Sequence, residues 1–390
     1  MDALTIPGIH CFSQLVYLDA PPGMSPNETV TVGELAAYYL DNPAGRQRLL
    51  ARFEKIPREY GEWLRFLREG VAPYSSWKIA DIFDDNQPYQ SGLYGCCYRS
   101  PAGARVVSFR GSELLGNPRH RNDYETNLAL AYQSPTPQQA KVDAYWARFG
   151  ANYTDDAPLA VTGHSLGGNL AVYGAIMAPE AIRRRLTACL SFNAPGFPAG
   201  FRKKNKPVIS ELGSRLVLYQ NKHDPVSSLL ENVVPPVVVA SKFQPSREDA
   251  PGVADILYPH SNFMFLTGDA GNFILDEAGE KCRFCKMVHL LSDLLMLLPR
   301  ETREALSHTV LDVLYGSGKA AIPEVLGRFL TQEAHQAEPG ENSISALARA
   351  ADMAAKEGYS VPELFRLVAG GEPVFTALVH TLLILLECFL

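Results

Sequence analysis

The 390-residue chain has no long run of lysine or arginine and no interleaving of basic with aromatic residues. Its 36 Lys and Arg stand against 42 Asp and Glu, a net charge of -6 spread over mixed-sign segments. That excludes the electrostatic footprint a phosphate backbone demands, so no nucleic-acid partner is expected. Cysteine is sparse, and the odd count of seven is scattered as Cys11, Cys96, Cys97, Cys189, Cys282, Cys285 and Cys388. This is not the dense framework of a small secreted domain, and the thiols read as reduced. The opening "MDALTIPGIHCFSQLVYLDA" lacks both a basic stretch and a long apolar stretch ahead of a small-residue cleavage site. Export by a signal peptide is therefore not expected, and the reading is cytoplasmic. No internal repeat marks a solenoid.

What is present is the composition of a globular protein, 46% hydrophobic and 20% charged. The length suits one large α/β domain with an appendage. From Thr31 to Glu69 apolar residues recur at helical spacing behind a Thr31/Glu34 capping box. This N-terminal helical segment, residues 1–90, reads as packed on a core that it covers. "GLYGCCYRSPAGARVVSFRG" places two β-type runs around a "SPAG" turn, a hairpin pattern. The short apolar runs "PLAVTG", "ACLSFNAPG", "RLVLYQNKHD" and "VVPPVVVASKF" then alternate with helix-like segments. That alternation predicts a mostly parallel sheet covered on both faces over residues 91–280. Such sheets place ligands beyond the carboxyl ends of their strands. Ser112, Ser165 and Asp224 all fall there. After Lys281 the pattern is helical only, through residue 390, with "EPGENS" at Glu338 to Ser343 as a linker candidate.

Gly163-His164-Ser165-Leu166-Gly167 fits G-x-S-x-G with an apolar strand before it and a small-residue helix after it. A strained turn there leaves no room for side chains two positions either side of the serine, hence the glycines. Gly168 allows close helix-to-sheet contact. The following helix aims its N-terminal amides at the place where an oxyanion would form. A serine nucleophile needs a base, and the base needs a carboxylate, in the chain order Ser, Asp or Glu, His. Asp224, at the end of a strand and stiffened by Pro225, is the candidate acid. Asp255 is the competitor, five positions before His260, and the strand-end placement favours Asp224. His260, in the loop "YPHSNF", is the candidate base. His223 adjoins the acid and reads as shaping its turn, His289 as a helix packing residue, and His164 as facing the sheet interior. For the oxyanion donors the reading takes the amide of Leu166 and, from the loop after an earlier strand in "VVSFRGSE", Ser112 beside Gly111. The bland alternative for that loop is a strand-ending turn with Arg110 in an ion pair.

Taken in order, "VVSFRGSE", "NDYETNLALAY", "VTGHSLGGNLAVYGA", "SFNAPGF", "NKHDPVSSLL" and "YPHSNF" resemble the lipase-like α/β-hydrolases related to class 3, fungal-type lipases, in a bacterial branch of that family. The resemblance runs from about Gly92 to Phe263 and leaves the helical C-terminal third outside it. It implies an α/β-hydrolase fold with Ser165 as nucleophile, Asp224 and His260 as its partners, and Ser112 with Leu166 as oxyanion donors. The expected activity is cleavage of carboxylic esters of acylglycerol or phospholipid type through an acyl-enzyme, with no cofactor and no metal. Acyl transfer by the same residues and a non-catalytic scaffold are the alternatives.

Two further signals stand apart. Cys282, Cys285 and His289 form C-x-x-C-x-x-x-H, three potential metal ligands on one helical stripe without a fourth nearby, which reads as buried thiols and not as a zinc site. "VFTALVHTLLILLECFL", Val374 to Leu390, is about as long as the shortest membrane spans and is interrupted by polar residues. It reads as a buried terminal helix, with peripheral membrane contact as the alternative.

Overall fold

In the computed structural model the described residues are 4–21, 30–53, 57–86, 90–113, 121–244, 258–269 and 271–296, with 300, 301, 303, 304, 307, 308 and 311. Asp255, the linker at Glu338 to Ser343 and the terminal run Val374 to Leu390 lie outside them. Eight strands form one sheet in the order of the chain: β1 Val30–Thr31, β2 Lys78–Asp84, β3 Tyr94–Arg99, β4 Arg105–Phe109, β5 Leu159–His164, β6 Leu186–Phe192, β7 Leu216–Asn221 and β8 Val237–Val239. β1 through β4 pair antiparallel, and β4 through β8 pair parallel. The expected hairpin is β3–β4. Its turn closes with the Ser100 amide on the Ala104 carbonyl at 2.9 Å and is made possible by Gly103 at φ +94.

Every residue of β4 and β5 is buried, and their near-continuous apolar character follows from cover on both faces. Side chains alternate between two cores. Val106, Ala160 and Leu190 belong to one, with Ile9, Phe12, Leu15, Trp77 and Tyr98. Val107, Val161 and Cys189 belong to the other, with Tyr145, Trp146, Phe149 and Leu170. Helices α6 Pro137–Asn152 and α7 Leu166–Met177 form the layer on the second side.

The first side is covered by the N-terminal segment. α2 Val32–Asp41 begins at the capping box read from Thr31 and Glu34, and α3 Pro43–Phe53 and α4 Pro57–Arg65 follow. Sequence periodicity missed α1 Ile6–Leu15, which is buried round most of its circumference, Ser13 and Gln14 included, and so shows no single apolar stripe. It is nonetheless the helix that lies against β4, β5 and β6. β2 was also not anticipated. Its half-buried "KIADIFD" carries a bulge between Ala80 and Phe83 and is too polar to announce a strand. Beyond Lys281 the helix Arg283–Met296 is present as the helical pattern indicated. No helix among the described residues is long and apolar enough to cross a membrane.

Trp146 is the bulkiest fully buried side chain, and its indole N–H donates to the Gly174 carbonyl of α7 at 2.9 Å. Trp146→Ala should cost about 3–5 kcal/mol of unfolding free energy, the range for a large aromatic removed from a packed core. Urea unfolding measures it, and a loss below about 1 kcal/mol would contradict this packing.

Candidate active site

Ser165 sits between β5 and α7 with φ 56 and ψ -132, a backbone region that costs a non-glycine residue about 1–3 kcal/mol. The three surrounding glycines make the turn possible. A Cβ on Gly163 would lie 2.2 Å from the Gly167 carbonyl oxygen, and one on Gly167 would lie 2.2 Å from the Phe109 carbonyl oxygen. One on Gly168 would meet Ser191 Oγ at 2.6 Å. The Ser165 amide donates to the Phe192 carbonyl of β6 at 2.9 Å, which pins the turn to the neighbouring strand.

Asp224 follows β7 and is fully buried. Its Oδ1 accepts the Val226 amide at 3.0 Å and its Oδ2 the Ser227 amide at 3.1 Å. Burial acts to raise its pKa, but the His260 imidazole, the Lys281 ammonium and the Ser227 bond outweigh it and hold the carboxyl below its ordinary value. The Lys281 ammonium also ties the turn together, donating to the carbonyls of Asn221 and Asp224 and to Ser227 Oγ at 2.7–2.8 Å. His260 Nδ1 stands 3.0 Å from Asp224 Oδ1, and its Nε2 stands 2.9 Å from Ser165 Oγ. Three side chains separated by 36 and 95 positions thus form one hydrogen-bonded line.

The His260 loop is held by its backbone. Its carbonyl accepts from His164 Nε2 at 2.6 Å and from Asn193 Nδ2 at 3.0 Å. Since a carbonyl only accepts, His164 carries its proton on Nε2, which leaves Nδ1 to accept from the Tyr17 hydroxyl at 3.1 Å. Burial, aided by the neighbouring His260, lowers the pKa of His164 to about 3, so it is neutral in the fold. Asn193, in left-handed backbone at φ +48, accepts the Asn221 amide on its Oδ1 at 2.8 Å. His164 is therefore buried, but as a hydrogen-bonding strut and not as a packing residue. Tyr17, Asn193 and Lys281 were not singled out from the sequence. Of these only Asn193, a polar residue ending an apolar run, left a signal there.

Leu166 opens α7, where the first amides have no acceptor within the helix. Ser112 lies in the loop after β4, and its Oγ accepts from Asn127 Nδ2 at 2.7 Å. α5 Arg121–Ala129 holds the same loop twice more, with Asp123 accepting the Glu113 amide at 3.1 Å and the Tyr124 hydroxyl donating to the Glu113 carbonyl at 2.7 Å. The loop presses on the serine, since a Cβ on Gly111 would lie 3.2 Å from Ser165 Cβ. Arg110 is indeed in ion pairs, with Asp19 at 2.8 Å and Glu113 at 3.3 Å, so the bland reading of "RGSE" and the Ser112 placement coexist.

The C-x-x-C-x-x-x-H motif does not close into one cluster. His289 Nδ1 faces the Ser228 carbonyl at 2.9 Å and its Nε2 faces Asp293. Cys282 meets His223 and Cys285 instead. Among the described residues no group of His, Cys, Asp and Glu is arranged to hold a metal ion.

The parallel strands β4–β8, the strained serine turn after β5 and the aspartate after β7 make this an α/β-hydrolase fold. Residues 77–246 match the Mbeg1-like family model. No curated protein matches the chain by sequence. Among solved structures, a lipase from Rhizopus microsporus var. chinensis is 16% identical at a TM-score of 0.31, with 58% of this chain and 83% of that one covered. Lip2 lipase from Yarrowia lipolytica is 16% identical at 0.31, with 50% and 71% covered. A triacylglycerol lipase from Penicillium expansum is 15% identical at 0.30, with 43% and 70% covered.

The neutral His164 has a consequence for folding. Unfolded, it takes up a proton near its ordinary pKa of about 6.5, whereas folded it stays neutral down to about pH 3. Between those values the unfolded chain binds one more proton, so stability falls as the pH falls. His164→Gln should make the slope of unfolding free energy against pH shallower by up to about 1.4 kcal/mol per pH unit near pH 5. Denaturant titrations across that range measure it, and a slope identical to that of the wild type would refute a buried neutral imidazole.

Proposed function

We propose that this protein is a serine ester hydrolase in which Ser165 is the nucleophile, His260 the general base and acid, and Asp224 the residue that orients and stabilises the imidazole. The observation that carries this reading is the unbroken line from Asp224 Oδ1 through His260 to Ser165 Oγ, with steps of 3.0 and 2.9 Å, on a turn held in strained backbone geometry. His260 Nε2 takes the hydroxyl proton as Oγ attacks the ester carbonyl. Asp224, kept ionised by its surroundings, stabilises the imidazolium that forms. The protonated ring then gives its proton to the leaving alcohol, and water, activated by the same ring, releases the acid from the acyl-enzyme.

The developing oxyanion is assigned to the Leu166 amide and to Ser112. Asn127 occupies a lone pair of Ser112 Oγ, which leaves the hydroxyl proton available to donate. Three residues beyond His260, Phe263 is flanked by Trp63 of α4 at 5.3 Å and Phe66 at 5.8 Å between ring centroids. These rings belong to the core on the α1 side of the sheet, and the substrates we infer are carboxylic esters of acylglycerol or phospholipid type.

A fluorophosphonate probe should label the wild type on Ser165, and hydrolysis of p-nitrophenyl esters of graded chain length should lose about 10⁴-fold or more in Ser165→Ala. Asp224→Asn should fall about 10⁴-fold and Ser112→Ala about 10²–10³-fold in kcat. Equal turnover by wild type and Ser165→Ala, or a wild type that neither labels nor turns over, would end the proposal. A product ester formed from an added alcohol would move the reading to acyl transfer.

A further inference from the structure

Cys282 and Cys285 stand just behind the Asp224 turn and serve no step of the proposed hydrolysis. Cys282 immediately precedes the helix Arg283–Met296, and its carbonyl accepts the first helical bond, from the Lys286 amide at 3.0 Å. Its own amide donates to the Lys222 carbonyl at 3.0 Å, which fixes it against the end of β7. Its sulfur is therefore at the positive end of a 14-residue helix. Three groups converge on it: the Cys285 thiol, the Cys285 backbone amide and the His223 side chain. A sulfur surrounded by donors at a helix N-terminus is stabilised as thiolate.

The other described cysteines are in the opposite situation. Cys11, Cys96, Cys97 and Cys189 are buried in the two apolar cores, and burial raises their pKa values. Cys282 remains 8% exposed while Cys285 is fully enclosed. His223, which touches the Cys282 sulfur, also lines a polar cleft of about 340 Å³ together with Lys222, Ser241, Gln244 and Asp276. A small polar molecule thus has a place to dock on His223, the residue that touches this sulfur.

We propose that Cys282 and Cys285 are a thiol–disulfide exchange site that reacts with low-molecular-weight disulfides, Cys282 attacking and Cys285 resolving. The Cys282 thiolate attacks one sulfur of the disulfide, forming a mixed disulfide and expelling one thiolate, which takes a proton from solvent. The Cys285 thiol then loses its proton, its sulfur displaces the second thiolate from Cys282, and an intrachain disulfide remains. Two protein thiols are oxidised, one external disulfide is reduced to two thiols, and no metal takes part. The spacing permits the product, since residues three apart at a helix start bring their Cβ atoms to about 5–6 Å, and the non-helical residue before the helix can close the rest. The thiolate character of Cys282 is consistent with this: hydrogen bonding from Cys285 and His223 outweighs burial and lowers its pKa to about 4.

The test uses the full-length reduced protein equilibrated in a series of glutathione redox buffers, quenched by alkylation and read by peptide mass spectrometry. A Cys282–Cys285 disulfide is expected to grow in as the buffer becomes more oxidising, and Cys285→Ser should instead accumulate glutathione on Cys282. Iodoacetamide alkylation of Cys282 should be nearly independent of pH between about 6 and about 8, where an ordinary thiol gains about tenfold per unit. Cys282→Ser keeps an oxygen able to cap the helix, so loss of all these signals in that variant, with unchanged circular dichroism, assigns them to this sulfur. If Cys282 acquires neither disulfide in the most oxidising buffer, or its alkylation climbs with pH as an ordinary thiol's does, the pair is only a helix cap and the proposal is overturned. None of these readouts depends on ester hydrolysis.

Discussion

Between α7 and the strands β4 and β5 there is room for backbone and for nothing else. A methyl group on Gly167 would sit 2.2 Å from the carbonyl oxygen of Phe109, and one on Gly163 equally close to the carbonyl oxygen of Gly167. That closeness forces the connecting residue into an unfavourable conformation and pushes its side chain out of the sheet. A hydroxyl in such a position is aimed, and it cannot relax without separating the helix from the sheet. The strain is sustained because α7 is buried along nearly its whole length, so the surrounding packing over-determines the turn.

The second constraint is a chain of buried polar groups. Tyr17, His164, the His260 carbonyl, Asn193 and Asn221 come from five separate places in the sequence and are joined end to end by hydrogen bonds. Each would carry a desolvation penalty if left alone, so the set forms together. Its effect is to fix the backbone of the loop that carries His260, and through the backbone the direction of the ring. The N-terminal segment enters here through Tyr17, which makes it part of the site's framework as well as a cover for the sheet.

On the acid side the framework is electrostatic. A fully buried carboxylate needs compensation, and the His260 imidazole, the Lys281 ammonium and two backbone amides provide it. Lys281 belongs to the segment that leads into the helix Arg283–Met296, so the start of the helical region braces the turn that holds Asp224. The same short segment carries Cys282, with His223 on one side of the turn and Asp224 on the other. The segment that braces the Asp224 turn is thus also the one to which the sulfur chemistry is assigned.

Local rules of the chain determined much of this. Glycine spacing around Ser165, the apolar runs of β4 to β7 and the Thr31/Glu34 capping box are effects of near neighbours, and a sequence displays near neighbours directly. The candidate order serine, aspartate, histidine was read from the hydrolase pattern, with Ser165 and Asp224 placed by strand ends that near neighbours mark. What the sequence could not display was contact between distant positions. That His164 supports a carbonyl 96 positions away, that Lys281 neutralises a turn 57 positions earlier, and that Cys282 meets His223 in preference to His289 were all settled by how the layers pack. α1 escaped notice because its helical stripe is weak, and it is held by burial against the central strands. Partners of this kind are chosen by the cost of leaving buried polar atoms unpaired, and that cost exists only once the tertiary structure has buried them.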